Sequence, residues 1–395
     1  MNTLRRITRK IKVGSTFIGG DAPILVQTMA ATKTRDVDAT VATVRKLAAH
    51  RAGMIRIAVD APIDAEALVE IRKRIDANLS VDLQENFRMA EKVAPYVDKI
   101  RYNPGHLHRL EPELSWEKKV QYLVDVARDN DCALRIGVNS GSLDPEKLRQ
   151  YREKLARLDA DPTLKDDEAE FFDPPIRSAL EHVDFVESIG FDRFCVSIKD
   201  SDPDTVLLLN RRFAALRPLV PLHLGVTEAG APPRGILKTR SALEPLLSEG
   251  IGETLRVSLT VRADQKEQEI EAGKLILSNV ANGIVANPND YKQTALNIVS
   301  CPGCSRTQSA RFVNLALEIE KATQFAKDYP FTIAVMGCRV NGPGETDDAD
   351  IGLWCGGDKV NLKNGGAPVG AFAYDVVVEK AVELLKEKIR LSQLK

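Results

Sequence analysis

Three cysteines carry the densest chemistry in the chain: Cys301 and Cys304 in SCPGCSRT (300–307), and Cys338 in MGCRVNGPGE (336–345). Three thiolates fill three corners of either a tetrahedral zinc site or an iron–sulfur cubane. Zinc commonly recruits a histidine, yet none follows His223. The nearest other donor is Glu345, where a Gly-Pro-Gly turn lets the chain double back toward Cys338. A carboxylate holds iron less firmly than a thiolate and can yield to a substrate oxygen, as a catalytic metal keeps one replaceable position. The pattern predicts a [4Fe-4S] cluster on three cysteines with Glu345 as a displaceable fourth ligand. A structural zinc with an unusual ligand set is the alternative. Cys355, in LWCGG, is the rival fourth ligand and reads as a turn residue.

Such a centre must be positioned against something, and the rest of the chain supplies it. Eight β-rich segments alternate with helical stretches: ILVQTM (24–29), GMIRIAV (53–59), LSVDLQ (79–84), KIRYN (99–103), ALRIGVN (133–139), RFCVSIK (193–199), PLHLGVT (221–227) and TLRVSL (254–259). That alternation predicts a parallel sheet, and its size and count match a closed (β/α)8 TIM barrel; an open doubly wound sheet is the alternative. Barrel enzymes work at the C-terminal ends of their strands, where side chains on one face recur every second residue. Five cations fall there on separate strands: Arg56, Arg101, Arg135, Lys199 and Arg256.

Buried singly, each would be costly, and a structural ion pair is the competing explanation for any one of them. As a ring they predict a multiply anionic small ligand, most simply a diphosphate, because Arg matches phosphate oxygens bidentately and Lys adds a point charge. Asn103 shares a face with Arg101, Asn139 with Arg135 and Ser258 with Arg256, while Asp82 interrupts an apolar strand and Glu228 follows the seventh strand. GVNSGS (137–142) and TEAGA (227–231) offer small-residue loops where backbone amides can approach an anion.

Around this barrel, RKIKVGSTFIGG (9–20) predicts a hairpin covering its bottom. Residues 144–173 read as an exposed, acidic, turn-rich insertion. The helical pattern breaks at 283–293, which divides the chain into a barrel unit (1–285) and a small α/β iron–sulfur unit (286–395). Lys and Arg (55) nearly balance Asp and Glu (56), which argues against a nucleic-acid partner. No apolar run is long enough to span a membrane, the basic N-terminus lacks a signal peptide's apolar stretch, and six cysteines are too few for a disulfide framework. A reduced, cytoplasmic setting is expected.

Together, VQTMAATKTRDVDAT, IRYNPG, RIGVNSGSL, LHLGVTEAG, EGIGETLRVSL, SCPGCSRT and MGCRVNGPGE resemble the 4-hydroxy-3-methylbut-2-enyl diphosphate synthases, in their short bacterial form. The resemblance runs in order from about residue 5 to 350. It implies reductive opening and dehydroxylation of 2-C-methyl-D-erythritol 2,4-cyclodiphosphate, an isoprenoid precursor of the methylerythritol phosphate pathway, with electrons from ferredoxin or flavodoxin. It also implies a homodimer in which one subunit's cluster caps the other's barrel. By motif, Cys301, Cys304, Cys338 and Glu345 would bind the cluster. Arg56, Arg101, Arg135, Lys199 and Ser258 would hold the diphosphate. Asp82, Asn103, Asn139 and Glu228 would line the pocket, with Glu228 handling a proton. Two positions depart from the family pattern: Gln84 replaces a His, and Ala31 stands where Asn is common. Gln84 can hydrogen-bond an oxygen but cannot carry a proton. Other classes remain open to the sequence: a zinc-dependent methyltransferase barrel using a pterin-type cofactor, and a metal-sensing regulator built on the CxxC unit alone.

Overall fold

The structure, a computed structural model, describes residues 5–83, 85–160, 173–293, 295–338, 340 and 342–394. Two short strands come first, β1 (Ile11–Val13) and β2 (Thr16–Ile18), paired antiparallel. Eight parallel strands follow: β3 (Leu25–Met29), β4 (Met54–Ala58), β5 (Leu79–Asp82), β6 (Lys99–Tyr102), β7 (Ala133–Asn139), β8 (Phe194–Lys199), β9 (His223–Leu224) and β10 (Thr254–Leu255). Their hydrogen-bonded order runs β8-β7-β6-β5-β4-β3-β10-β9. A parallel bridge between Val196 and Leu222 joins the two ends, so the sheet closes into the barrel and the open-sheet alternative falls.

The intervening helices are long enough to cross over and carry their own start signals. Asp36 caps Val37–Ala49 through Ala39 N, Ser115 caps Trp116–Asp129, and Asp202 caps Pro203–Leu216 with proline in the first turn. Their apolar faces join one continuous core with the strands. The hairpin β1–β2 closes the bottom: Ile11, Val13 and Ile18 pack on Met54, Ala133 and Cys195, which lie at or near the beginnings of their strands.

Two expectations need correction. The last two staves are much shorter than their sequence segments, with two residues each in the regular ladder. The chain beyond them stays tied by single bonds, Arg256 N to Leu224 O and Thr227 N to Asp200 O, but turns early to form the mouth of the barrel. Within the insertion, Pro145–Ala160 is a helix instead of a run of turns, and 161–172 lie outside the described residues.

A second sheet follows: β11 (Asn297–Ser300), β12 (Thr332–Met336), β13 (Ile351–Cys355), β14 (Lys359–Asn364) and β15 (Ala367–Ala373), in sequence order. The first three are parallel and the last three antiparallel, with helices Arg311–Ala322 and Tyr374–Ser392 packed on their shared core. A tight turn joins β14 to β15, where Gly365 and Gly366 both take positive φ. Because β11 and β12 are parallel neighbours, their C-terminal ends lie side by side. Cys301 follows the first and Cys338 lies two residues past the second, and Cys301 N donates to Val335 O.

Strand β11 also docks on the barrel. Ser300 bridges to Ala229, and Thr260 Oγ1 donates to Ser300 O and Cys301 O at 3.0 Å each. The cysteine-bearing loop therefore covers the barrel mouth of its own chain, whereas the resemblance implies a cap from the partner subunit.

Candidate active site at the barrel mouth

Strand register puts the polar side chains next to one another. Asp82 is the cross-strand partner of Arg101, Arg101 of Arg135, and Asn139 of Lys199. Arg101 donates from Nη1 to Asp82 Oδ1 at 2.9 Å and from Nη2 to Gly137 O at 2.7 Å. Arg135 Nη1 donates to Ser197 Oγ at 2.9 Å. Two glycines make room for these cations: a Cβ on Gly137 would lie 2.2 Å from Arg101 Nε, and one on Gly225 would lie 2.5 Å from Lys199 Nζ.

Arg56, Asp82, Arg101, Asn103, Arg135, Asn139, Lys199, Glu228, Arg256, Ser258, Cys301, Cys304 and Cys338 all line one cavity of about 100 Å³. Among the predicted site residues Glu345 alone stands outside it. Gln84 lies outside the described residues. Ala31 lies away from this cavity, on the outer side of the cysteine loop.

Positive charge dominates this cavity. Asp82 is buried with Arg101 on one carboxylate oxygen and Arg306 at 3.3 Å and Arg56 at 3.9 Å on the other. Burial pushes its carboxyl up, but Arg101, Arg56 and Arg306 outweigh that and hold it well below the ordinary carboxylate range. One carboxylate cannot satisfy this many donors. Among the described residues, Nε and Nη2 of both Arg135 and Arg256, and Nε of Arg101, are buried with no hydrogen-bond partner. Arg256 has Glu269 only at 3.6 Å, and that carboxylate already accepts from Lys266 and Thr28. Buried guanidinium donors left open are costly and point to a missing anion. Lys199 is affected in the same way: burial, then Arg135, Arg256, Arg56 and Arg101, push its ammonium well below the ordinary lysine range. Among the described residues it reaches only His223 Nε2, at 3.2 Å, and His223 Nδ1 in turn contacts Thr254 Oγ1 at 2.7 Å. Burial and the surrounding cations hold that imidazole neutral, so Nε2 accepts from Lys199 while Nδ1–H donates to Thr254.

Above the cations lie the three thiols. Gly303 N donates to Cys301 Sγ and Arg306 N to Cys304 Sγ, both at 3.4 Å. Cys301 is pushed well above the ordinary thiol range by Cys338, by burial and by Cys304; Cys304 is raised by burial and by Cys338. Three unbridged thiols crowd one another, with backbone N–H groups aimed at two of the sulfurs. That donor set suits a soft metal centre, which would accept the negative charge that thiolates cannot carry there alone. Among the described residues no three His, Cys, Asp or Glu side chains are already gathered at metal-ligand spacing.

Glu345, in the short helix Gly342–Asp348, faces the barrel loop: its Oε1 lies where a Cβ on Gly141 would reach 2.8 Å. Burial, then Glu228 and Asp200, push its carboxyl up to about 9. Glu228, itself buried and held at a left-handed φ of +48°, is the carboxylate that acts on Cys301. Cys355 closes β13 inside the second core beside Leu353 O and Tyr374, in a strand and not in a turn.

Sequence reasoning did not assign Arg306. Its side chain is buried and reaches down from the cysteine loop, donating to Asp60 Oδ1 at 2.7 Å, Asp82 O at 3.0 Å and Asp82 Oδ2 at 3.3 Å. The signal available was an arginine two residues beyond Cys304, in the CxxC motif. Met29 was also missed; its sulfur takes Arg56 Nε at 3.2 Å and Nη2 at 2.9 Å.

The sequence matches the GcpE TIM-barrel domain over residues 8–274 and the GcpE protein C-terminal domain over 297–387. The chain belongs to the GcpE family. A protein of Rhodopirellula baltica named 4-hydroxy-3-methylbut-2-en-1-yl diphosphate synthase (flavodoxin) is 53% identical over 393 residues, covering 100% of this chain and 99% of that one. A Clostridium perfringens protein of the same name is 35% identical, covering 97% and 99%. An Acinetobacter baumannii one is 38% identical, covering 88% and 84%. These relatives carry the name that the motifs suggested, and the pterin-type methyltransferase alternative is not favoured. The family implies a redox metal cofactor, which the thiol wall fits. No helix among the described residues is long and apolar enough to cross a membrane.

Replacing Asp82 by Asn leaves Arg101, Arg56 and Arg306 without their shared anion and should cost about 3–5 kcal/mol in denaturant unfolding. Because its carboxyl is depressed in the fold, the Asp82 contribution is complete above the unfolded carboxylate pKa near 4 and is lost only as pH falls further. An acid limb identical in wild type and Asp82→Asn would contradict this. An anion placed on the guanidiniums should also raise Lys199 back toward its ordinary 10.5. Calorimetry of pyrophosphate binding in buffers of different ionisation enthalpy should show more proton uptake by wild type than by Lys199→Met, between the lowered and the ordinary pKa. Equal uptake would remove Lys199 from the anion site.

Proposed function

We propose that this chain catalyses the reductive ring opening and dehydroxylation of 2-C-methyl-D-erythritol 2,4-cyclodiphosphate to 4-hydroxy-3-methylbut-2-enyl diphosphate. The observation that carries the reading is the set of open, buried guanidinium donors on Arg101, Arg135 and Arg256 under a wall of three thiols. A [4Fe-4S] cluster on Cys301, Cys304 and Cys338, with Glu345 as its exchangeable fourth ligand, would supply single electrons and a Lewis-acidic corner when bound.

The chain's own residues do the rest. Arg56, Arg101, Arg135, Lys199 and Ser258, joined by Arg256, take the two phosphoryl groups and fix the ring in one orientation. Binding energy is thereby spent on placing the reacting carbons under the thiol wall. Asn103 and Asn139 each use Oδ1 to accept from the backbone two residues on, at Gly105 N and Gly141 N, so their loops hold shape around the ligand. Asp82 keeps Arg101, Arg56 and Arg306 in register. Glu228, under the cysteine loop, is placed to move a proton at the leaving oxygen. The cap excludes bulk water, which strengthens each charge contact. With this reading go a division between the barrel (1–285) and the cofactor unit (286–395), a homodimer, a flavodoxin or ferredoxin donor, and a cytoplasmic setting. The relatives' printed name supports flavodoxin among the donors.

Oxygen-protected, reconstituted protein should contain iron and acid-labile sulfide and should convert the cyclodiphosphate with dithionite as reductant. Glu228→Gln should keep the iron and lose turnover by about 100-fold or more. Iron-loaded wild type that leaves the cyclodiphosphate unchanged would refute the assignment.

A further inference from the structure

The proposed reaction consumes electrons, and a groove beside Cys304 offers a surface through which they can enter. Cys301 and Cys338 are buried; Cys304 is half-exposed. It opens onto a groove of about 760 Å³ on the outer side of the cysteine loop, separate from the substrate cavity. Ala31, Val261, Gly303 and Phe312 contribute apolar surface to it. Charged side chains in the groove wall are Lys33, Arg262, Arg311 and Asp264, three cations to one carboxylate in a chain whose net charge is −1. Asp264 is already paired with Arg262 at 3.0 Å. Among the described residues Lys33 donates only to backbone carbonyls, Ser305 O at 2.6 Å and Thr307 O at 2.8 Å, and the Arg311 guanidinium stacks over the Tyr374 ring at 4.4 Å. The charges of Lys33 and Arg311 therefore remain for a partner.

We infer that this groove is the docking site of an acidic flavoprotein of the flavodoxin kind, which presents its flavin edge to the Cys304 side of the cofactor. The inference rests on the function proposed above and names where its electrons arrive. A small apolar floor with a cationic rim suits a brief electron-transfer encounter, which needs little buried area and gains its rate from complementary charge. Each encounter oxidises the flavin by one electron and reduces the cofactor by one. Two encounters supply the two electrons that one turnover consumes together with two protons, opening the ring and releasing one water. Ala31 belongs to this groove, so its departure from the common Asn alters the docking floor and leaves the substrate cavity untouched.

The test uses anaerobic holoenzyme titrated with a bacterial flavodoxin, with Kd read from flavin fluorescence at low and moderate salt. Wild type should bind more weakly as salt rises. The double variant Arg262→Glu, Arg311→Glu should bind at least about tenfold more weakly while keeping its cofactor absorbance and its dithionite-driven turnover. A double variant that binds flavodoxin as wild type does, or a wild type that does not bind it, would overturn the docking site while dithionite turnover still upheld the function. Loss of dithionite turnover in wild type would instead remove the function on which the docking rests.

Discussion

The barrel mouth is organised by a shortage of negative charge. Arg56, Arg101, Arg135, Lys199, Arg256 and Arg306 are brought close together, and three of them share the Asp82 carboxylate. A fold tolerates such a cluster only if something offsets it. Here the offset is partial: Met29 and Ser197 take some donors, Asp82 takes others, and several guanidinium nitrogens stay open. The site is thus held ready for an anion that brings more charge than the protein itself supplies.

The same charge pattern ties the two halves of the chain together. Arg306 leaves the cysteine loop and ends on Asp82, so the carboxylate that orders the anion site also anchors the cap. Lys33 grips the loop from the other side, at Ser305 O and Thr307 O. The parallel pairing of β11 and β12 sets Cys301 beside Cys338, and the bridge from Ser300 to Ala229 fixes that pair over the barrel. Anion binding, cap closure and thiol placement are parts of one connected arrangement.

Much of this was legible in the sequence because parallel strands write side-chain direction at a period of two. Arg101, Asn103, Arg135, Asn139 and Lys199 could be assigned to one mouth on that rule, and all five line the cavity. The rule weakens where the ladder is short: β9 and β10 keep two regular residues, and their long apolar segments gave no hint of the early turn. The hairpin β14–β15 escaped notice since β15 is largely exposed and lacks a buried alternation. Arg306 was hidden by its neighbours, as a motif read for its cysteines drew attention from the residue that pairs across to the barrel. Glu345 shows a further limit. Spacing placed it within reach of Cys338, but the direction of its carboxylate, toward Gly141, is set by tertiary packing.

The most direct measurement is an anaerobic crystal structure of the reconstituted protein with its cyclodiphosphate, recorded at the iron absorption edge. The account predicts iron density bounded by Cys301, Cys304 and Cys338, with both phosphoryl groups on Arg101, Arg135 and Lys199 in the cavity beneath it. A zinc ion at the thiols, or a diphosphate bound away from those cations, would contradict it.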